Sequence, residues 1–257
     1  MLEKAVRSAL HQTLSPIEVL VCDDGSSDNS RAIIEAIGDR RVRWLGGPRG
    51  GRPAIPRNRG IRESRGDWLA FLDDDDEWLP EKLERQLALA KKLGCLATCT
   101  NARRYVPNRG DLGCYLSWKE ERITFDSLLK DNQVVCSSAM VRKSLFESVY
   151  GFPEDAQLKA VEDYALWLRI ASKTDFGFDA DSLVIYRDDT TNSIRKGEED
   201  VWRQRQAVFS DFLIWSEAST NGQHYAVNIR RRMFRDSVAR FSIRLKTHIK
   251  RIIRVFS

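Results

Sequence analysis

Five acids in a row, Asp73, Asp74, Asp75, Asp76 and Glu77, follow directly on the apolar run "WLAFL". Two carboxylates about 4 Å apart at an effective dielectric near 20 repel by roughly 4 kcal/mol, so such a cluster needs an opposing charge or raised pKa values. A divalent cation supplies the opposing charge. Alternate residues of an extended segment share a side, so Asp73 and Asp75 point together while Asp74 points away. Oxygen ligands alone favour a hard ion, Mg2+ or Mn2+, held by one or two carboxylates with substrate phosphates completing the shell. The plainer alternative is a solvated turn, and Asp76 and Glu77 read as acids near the start of the helix that Pro80 opens.

Two further acidic sites carry the same ambiguity. Asp23 and Asp24 follow the apolar run "IEVLVC" and open "DDGSSDNS", either a ligand loop at a strand end or an Asx turn in which Ser27 or Asp28 caps the next helix. Glu162 and Asp163 head the segment "YALWLRI", either as reactive carboxylates or as acids complementing a helix amino terminus.

The elements that must position these acids are legible from periodicity. Leu2, Ala5, Val6, Ala9 and Leu10 follow helical spacing; residues 17–22 and 42–45 read as strands, with a helix through Ile34 and Ile37 between them. "GGPRGGRPAIPRNRG" reads as a loop, followed by a short helix over Asn58–Ser64, the strand "DWLAFL" and a helix carrying Leu83, Leu87 and Ala90. Later, residues 134–141 read as a strand, "VEDYALWLRIAS" as a helix and "SLVIYR" as a strand followed by the turn "DDTTNS". Strands alternating with helices imply a mainly parallel sheet, helices on both faces, and ligands beyond the carboxyl ends of strands. A fold of this kind spans residues 1–197, and 198–257 form a helical extension.

Composition bounds the rest. With 257 residues and 42% apolar content the chain can bury a core. The five cysteines are odd in number, and Cys95 and Cys99 lack the further ligands of a zinc site, which points to reduced thiols. His11, His224 and His248 form no metal or nucleophile constellation. Residues 228–257 hold ten Lys or Arg against Asp236 alone, a balance of +9 that leaves −4 for the remainder of a chain whose net charge is +5. Phe234, Val238, Phe241, Leu245, Ile249, Ile252 and Phe256 recur there as one apolar stripe. Such a helix suits an anionic membrane surface, or packs on the body with its basic side in water. Nucleic acid is not expected, because the aromatics lie on the stripe and do not interleave with the basic residues.

"VLVCDDGSSDNS", "PRNRGIRESRGDWLAFLDDDDEW" and "VEDYALWLRI", in this order and at these separations, resemble the family 2 glycosyltransferases over roughly residues 2–190. The resemblance implies a GT-A fold, a mixed, mainly parallel sheet flanked by helices. It implies a nucleotide-diphospho-sugar donor, a divalent metal (Mn2+ or Mg2+), inversion at the anomeric carbon and a glycan or lipid-linked acceptor of cell-surface polysaccharide or glycolipid synthesis. Carried over by position, Asp23 and Asp24 would lie against base and ribose and Arg57 beside the nucleotide. Asp73 and Asp75 match the DxD element, Asp73 near ribose or metal and Asp75 on the metal. Asp163 matches the general base. Tyr186 and Arg187 match a position where a basic residue approaches the diphosphate, with a structural ion pair as the alternative; Trp78 and Trp167 border the acceptor or belong to the core. The family usually opens with a strand and a Pro-x-Tyr-Asn type turn, which this chain lacks ahead of "LEKAVRSALHQT". The expectation is a displaced recorded start, against the alternative of a non-catalytic nucleotide-sugar-binding domain. A metal-dependent phosphohydrolase is a third reading, without a nucleophile motif. The expected location is cytoplasmic, peripheral on the inner face of the membrane.

Overall fold

The computed structural model describes residues 1–189, 201–219 and 222–255, with side chains up to residue 241. It divides into two compact units, Met1–Glu199 and Asp200–Ser257.

The first unit opens on α1 (Leu2–Leu10), which buries Ala5, Val6, Ala9 and Leu10 as its spacing requires. Side chains fix both ends of the packing: the backbone N–H of Trp78 donates to Ser8 Oγ, and Gln12 donates to the Leu79 carbonyl and accepts from the Leu83 N–H. Then β1 (Val19–Cys22), α2 (Ser30–Glu35) and β2 (Val42–Leu45) make a parallel crossover unit. Helix α3 spans Ala54–Glu63, so it starts inside the segment expected as loop. Pro53 and Pro56 stand where a helix start needs no N–H donor, which is why they admit it. At Gly60 an added Cβ would meet Cys22 Sγ at 2.5 Å, so α3 approaches β1 only because this residue has no side chain.

The remainder forms a seven-stranded sheet from β3 (Trp68–Ala70), β4 (Glu77–Trp78), β5 (Ala97–Val106), β6 (Gly110–Cys114), β7 (Arg122–Ile123), β8 (Met140–Arg142) and β9 (Phe176–Arg187). The strands run in the order β3, β8, β5, β9, β4, with β6 on β5 and β7 on β9. Helices α4 (Lys82–Leu93), α5 (Phe125–Leu128), α6 (Lys143–Val149) and α7 (Glu162–Ala171) accompany it. Gly94, at φ 61°, ends α4 in the left-handed conformation that glycine adopts freely.

The sheet is mixed, as expected, but not mainly parallel. Among the described residues only β1–β2 and β5–β9 pair in parallel; β3–β8, β4–β9, β5–β6, β5–β8 and β7–β9 are antiparallel. The β5–β6 hairpin escaped the sequence reading. The strand expected over 134–141 is confined to β8, because Cys136–Ser138 form a 3-10 turn in which Ser138 bonds back to the Val135 carbonyl through both N–H and Oγ.

The second unit pairs α8 (Val201–Glu217) with α9 (Gly222–Val255), burying Val208, Phe209, Phe212, Trp215, Ala226 and Ile229. Residues of the expected "DDTTNS" turn beyond Asp189 lie outside the described residues, as do the side chains of Leu245, Ile249, Ile252 and Phe256.

Candidate active site

The carboxyl ends of β1 and β3 and the amino end of α7 open on one cavity of about 920 Å3. Its lining includes Asp23, Asp24, Arg57, Asp73, Asp74, Asp75, Asp163 and Arg187, so the residues singled out from sequence converge on one space. The two acids after β1 act first on backbone. Asp23 accepts from the N–H groups of Gly25 and Ser26, an Asx turn, and Asp24 accepts from Gly50 and Gly51. Asp24 thus ties the glycine-rich loop to the end of β1. Arg59 donates to the carbonyls of Asp23 and Leu45, locking the ends of β1 and β2 together. Sequence reasoning missed Arg59, and its spacing of two residues from Arg57 gave no signal, since residues two apart on a helix point to different faces.

Arg57 is the centre of the charge balance. Its guanidinium bonds Glu162 at 2.8 Å with one nitrogen and Asp73 at 2.6 Å with the other, and it packs over the Phe152 ring. Burial works against the Arg57 charge, yet Asp73 and Glu162 hold it well above the ordinary arginine value. Arg57 therefore clamps the end of β3 to the start of α7, the turn that carries Asp163. Asp163 is 9% exposed and accepts its neighbouring Tyr164 N–H. Glu162 Oε2 is buried with no hydrogen-bond partner among the described residues.

One arginine does not neutralise the four aspartates. Burial, then the charge of Asp73, pushes Asp74 upward; burial with Asp73 and Asp74 raises Asp75 to about 6; burial and Asp73 raise Asp76 to about 8. Asp76 is 1% exposed, accepts the Arg187 N–H through one oxygen and leaves the other without a partner among the described residues. It caps no helix: it holds β9, and Glu77 lies in β4, paired with Arg187 at 2.7 Å. The Arg187 ion pair is thus present, and Arg187 still reaches the cavity.

Asp73 is held from below. Its N–H donates to Ser137 Oγ, while the Ser137 carbonyl accepts from Trp78 Nε1 at 2.7 Å and the Ser138 carbonyl accepts from Gln86. Trp78 is this strut. Trp167, fully buried against Phe71, Phe152 and Phe176, belongs to the core and not to an acceptor rim.

No group of three or more metal-ligating side chains converges among the described residues. Asp73 and Asp75 offer oxygen donors of the hard-ion kind with excess negative charge. They fit a cation whose remaining ligands come from a bound diphosphate and water.

Residues 1–150 match the family model described as Glycosyl transferase family 2. Among curated proteins, UDP-Glc:alpha-D-GlcNAc-diphosphoundecaprenol beta-1,3-glucosyltransferase WfgD of Escherichia coli is 32% identical over 166 residues, covering 65% of this chain and 62% of WfgD. Succinoglycan biosynthesis protein ExoO of Rhizobium meliloti is 40% identical over 98 residues, 38% of this chain and 28% of ExoO. The chain thus spans under two thirds of either relative. The crystal structure of S. aureus TarS 1-349 in complex with UDP-GlcNAc superposes with a TM-score of 0.66 at 17% identity, over 90% of this chain and 66% of the TarS 1-349 chain. That likeness shows the GT-A fold.

Proposed function

Since the chain belongs to glycosyl transferase family 2, we propose that it moves a sugar from a nucleotide-diphospho-sugar donor to an acceptor hydroxyl with inversion. The acceptor class is a lipid-linked or cell-surface glycan, a reading supported by the diphosphoundecaprenol acceptor in the name of WfgD. The observation that carries the proposal is the single cavity joining Asp23 and Asp24, the Asp73–Asp75 pair and Asp163.

Asp23 and Asp24 border the base and ribose. Asp73 and Asp75 would hold Mn2+ or Mg2+, which when bound would supply charge neutralisation for the leaving diphosphate. Asp163 accepts the acceptor's hydroxyl proton as that oxygen attacks the anomeric carbon. The bond from that carbon to the diphosphate oxygen breaks on the opposite face, and the nucleoside diphosphate leaves with the electron pair. Arg57, committed to Asp73 and Glu162, orients these groups. Arg187, which lines the same cavity and pairs with Glu77, would turn its guanidinium to the diphosphate.

No helix among the described residues is long and apolar enough to cross a membrane. We assign residues 228–257 to an anionic leaflet, which would bring the active site to a lipid-linked acceptor.

A donor screen with Mn2+, scored for release of free nucleoside diphosphate, tests the proposal. Asp75→Ala is expected to lower metal-dependent donor binding. Asp163→Asn is expected to lower turnover at least a hundredfold, in the upper part of the general-base range of roughly 10²–10⁴, with donor binding retained. Unchanged turnover in both variants would refute the roles.

A further inference from the structure

Beside the large cavity lies a second one of about 60 Å3. The two share Asp73, Cys136, Asp163 and Tyr186 as lining, so the smaller borders the proposed base. Asp23, Asp24 and Asp75 do not line it, which sets it apart from the nucleotide and metal side of the site. Its other walls are Tyr115, Asn132, Val134 and Val135. Such a volume is about twice the roughly 30 Å3 that one water takes in the liquid, so it holds a small substituent and no sugar ring. The walls are held in place. Asn101, 3% exposed, donates its side-chain amide to the Leu116 carbonyl at 2.8 Å and accepts the Leu116 N–H at 3.0 Å. With the Tyr115 N–H donating to the Ala102 carbonyl at 2.8 Å, this fixes Tyr115 against β5 just past the end of β6. There its ring meets Tyr186 of β9 edge to face, centroids 5.5 Å apart. Asn132 accepts the Val134 N–H through Oδ1 at 3.2 Å, which orients its amide and leaves the Nδ2 donor without a partner among the described residues.

We propose that this pocket seats the acetamido group of an N-acetylated acceptor sugar, carried on the carbon next to the hydroxyl that Asp163 deprotonates. The assignment rests on the transfer reading, since it takes Asp163 as the base. The lining selects among substituents. A carboxylate would face the like charges of Asp73 and Asp163. An ammonium would pair with Asp163 and take the base out of use. A hydroxyl satisfies Asn132 but gains nothing from the aliphatic and aromatic walls. An acetamido carbonyl accepts from Asn132 Nδ2, while its methyl displaces water from Val134, Val135 and the Tyr115 ring. Its N–H is a neutral donor, so Asp163 keeps the ionised form that a base needs. Seating the neighbouring substituent also fixes which hydroxyl reaches Asp163, so the pocket sets the position of the new linkage as well as the sugar accepted.

Binding to the full chain, with UDP and Mg2+ present, is read by saturation-transfer NMR on the methyl glycosides of N-acetylglucosamine, glucosamine and glucose. The acetyl methyl protons are expected to take up the most saturation. The N-acetyl glycoside is expected to bind about tenfold more tightly than the glucoside, the ratio that one hydrogen bond and one buried methyl supply together. Asn132→Leu removes the donor at similar volume, and Val135→Phe fills the pocket from a half-buried wall. Each is expected to bring the two glycosides to within about twofold of each other, with UDP binding and melting temperature retained; either variant alone suffices. Equal binding of the three glycosides, strongest binding of the glucosamine glycoside, or a preference that survives both substitutions would overturn the proposal. So would a preference for UDP-N-acetylglucosamine over UDP-glucose that both variants abolish while the glycosides are unaffected, since the pocket would then serve the donor. Turnover is read separately: an acetamido preference that the variants abolish, in a chain that releases no nucleoside diphosphate in the donor screen, would refute the transfer reading while the pocket's selectivity stands.

Discussion

At the scale of single residues the site is governed by one guanidinium between two acids. Glu162 has a side chain 5% exposed and rests one carboxylate oxygen on Arg57 at 2.8 Å. Removing one member of a buried pair leaves the other charge uncompensated, at a cost of about 3–5 kcal/mol, whereas replacing the set by neutral groups of similar shape costs far less. Arg57→Met is therefore expected to lower the unfolding free energy obtained from urea titration by an amount in that range, and Arg57→Met with Glu162→Gln to recover most of it. If the double variant is no more stable than the single one, Glu162 is not what Arg57 neutralises. The acids Asp23, Asp73, Asp75 and Asp163 were legible from sequence because each follows or heads an element with clear periodicity. Arg57 was legible as a residue of the site but not as its clamp, because Glu162 lies 105 positions away and no local pattern encodes that distance.

At the scale of elements, α4 holds the floor of the site through an unusual core residue. Lys82 is fully buried, bonded to Gln86 at 2.7 Å and seated over the Trp78 ring at 4.2 Å. Burial pushes its ammonium down to about 7 from 10.5. Between those pH values the unfolded chain keeps a proton that the folded chain has released. This group therefore makes stability rise with pH from about 7 to 10.5, by up to roughly 5 kcal/mol at about 1.4 kcal/mol per pH unit, and contributes no slope below 7. Lys82→Met is expected to abolish that rise and to be the more stable chain below pH 7, as urea unfolding across pH will show; parallel pH profiles for the two chains would contradict it. The helix itself was plain in the sequence from Leu83, Leu87 and Ala90, but helical spacing cannot say that the first residue faces inward. The β5–β6 hairpin was missed for a related reason. β5 is buried through Ala102 and then alternates toward solvent from Arg103, so no single period runs along it. The turn at Cys136–Ser138 was hidden because "VVCSSAMV" has strand propensity throughout, and only the serine back-bonds interrupt the ladder.

At the scale of the whole molecule the charge is divided between segments. Residues 228–257 carry +9, and Asp236, their one acid, is engaged by Arg205 at 3.0 Å and by Arg232 at 3.0 Å. Phe234, Val238 and Phe241 are 71%, 49% and 68% exposed, so the described part of the apolar stripe faces solvent. Charge and exposed apolar surface act on a membrane differently: each basic residue near an anionic leaflet adds about 1 kcal/mol, screened by salt, whereas burying a phenylalanine adds about 1.5–3 kcal/mol that salt does not remove. Phe234→Glu with Phe241→Glu changes two exposed positions, so the fold is expected to survive with its melting temperature within a few degrees. The intact chain is expected to float with phosphatidylserine-containing vesicles and not with phosphatidylcholine alone. The double variant is expected to lose at least a hundredfold in vesicle affinity, from roughly 3 kcal/mol or more of lost apolar burial. A chain ending at Val227 should not float at all. Raising salt should weaken the intact chain's binding gradually, because its apolar share persists after the charges are screened. Equal flotation by the intact and double-variant chains would mean that the stripe takes no part, and equal flotation by the shortened chain would remove the segment from membrane docking altogether.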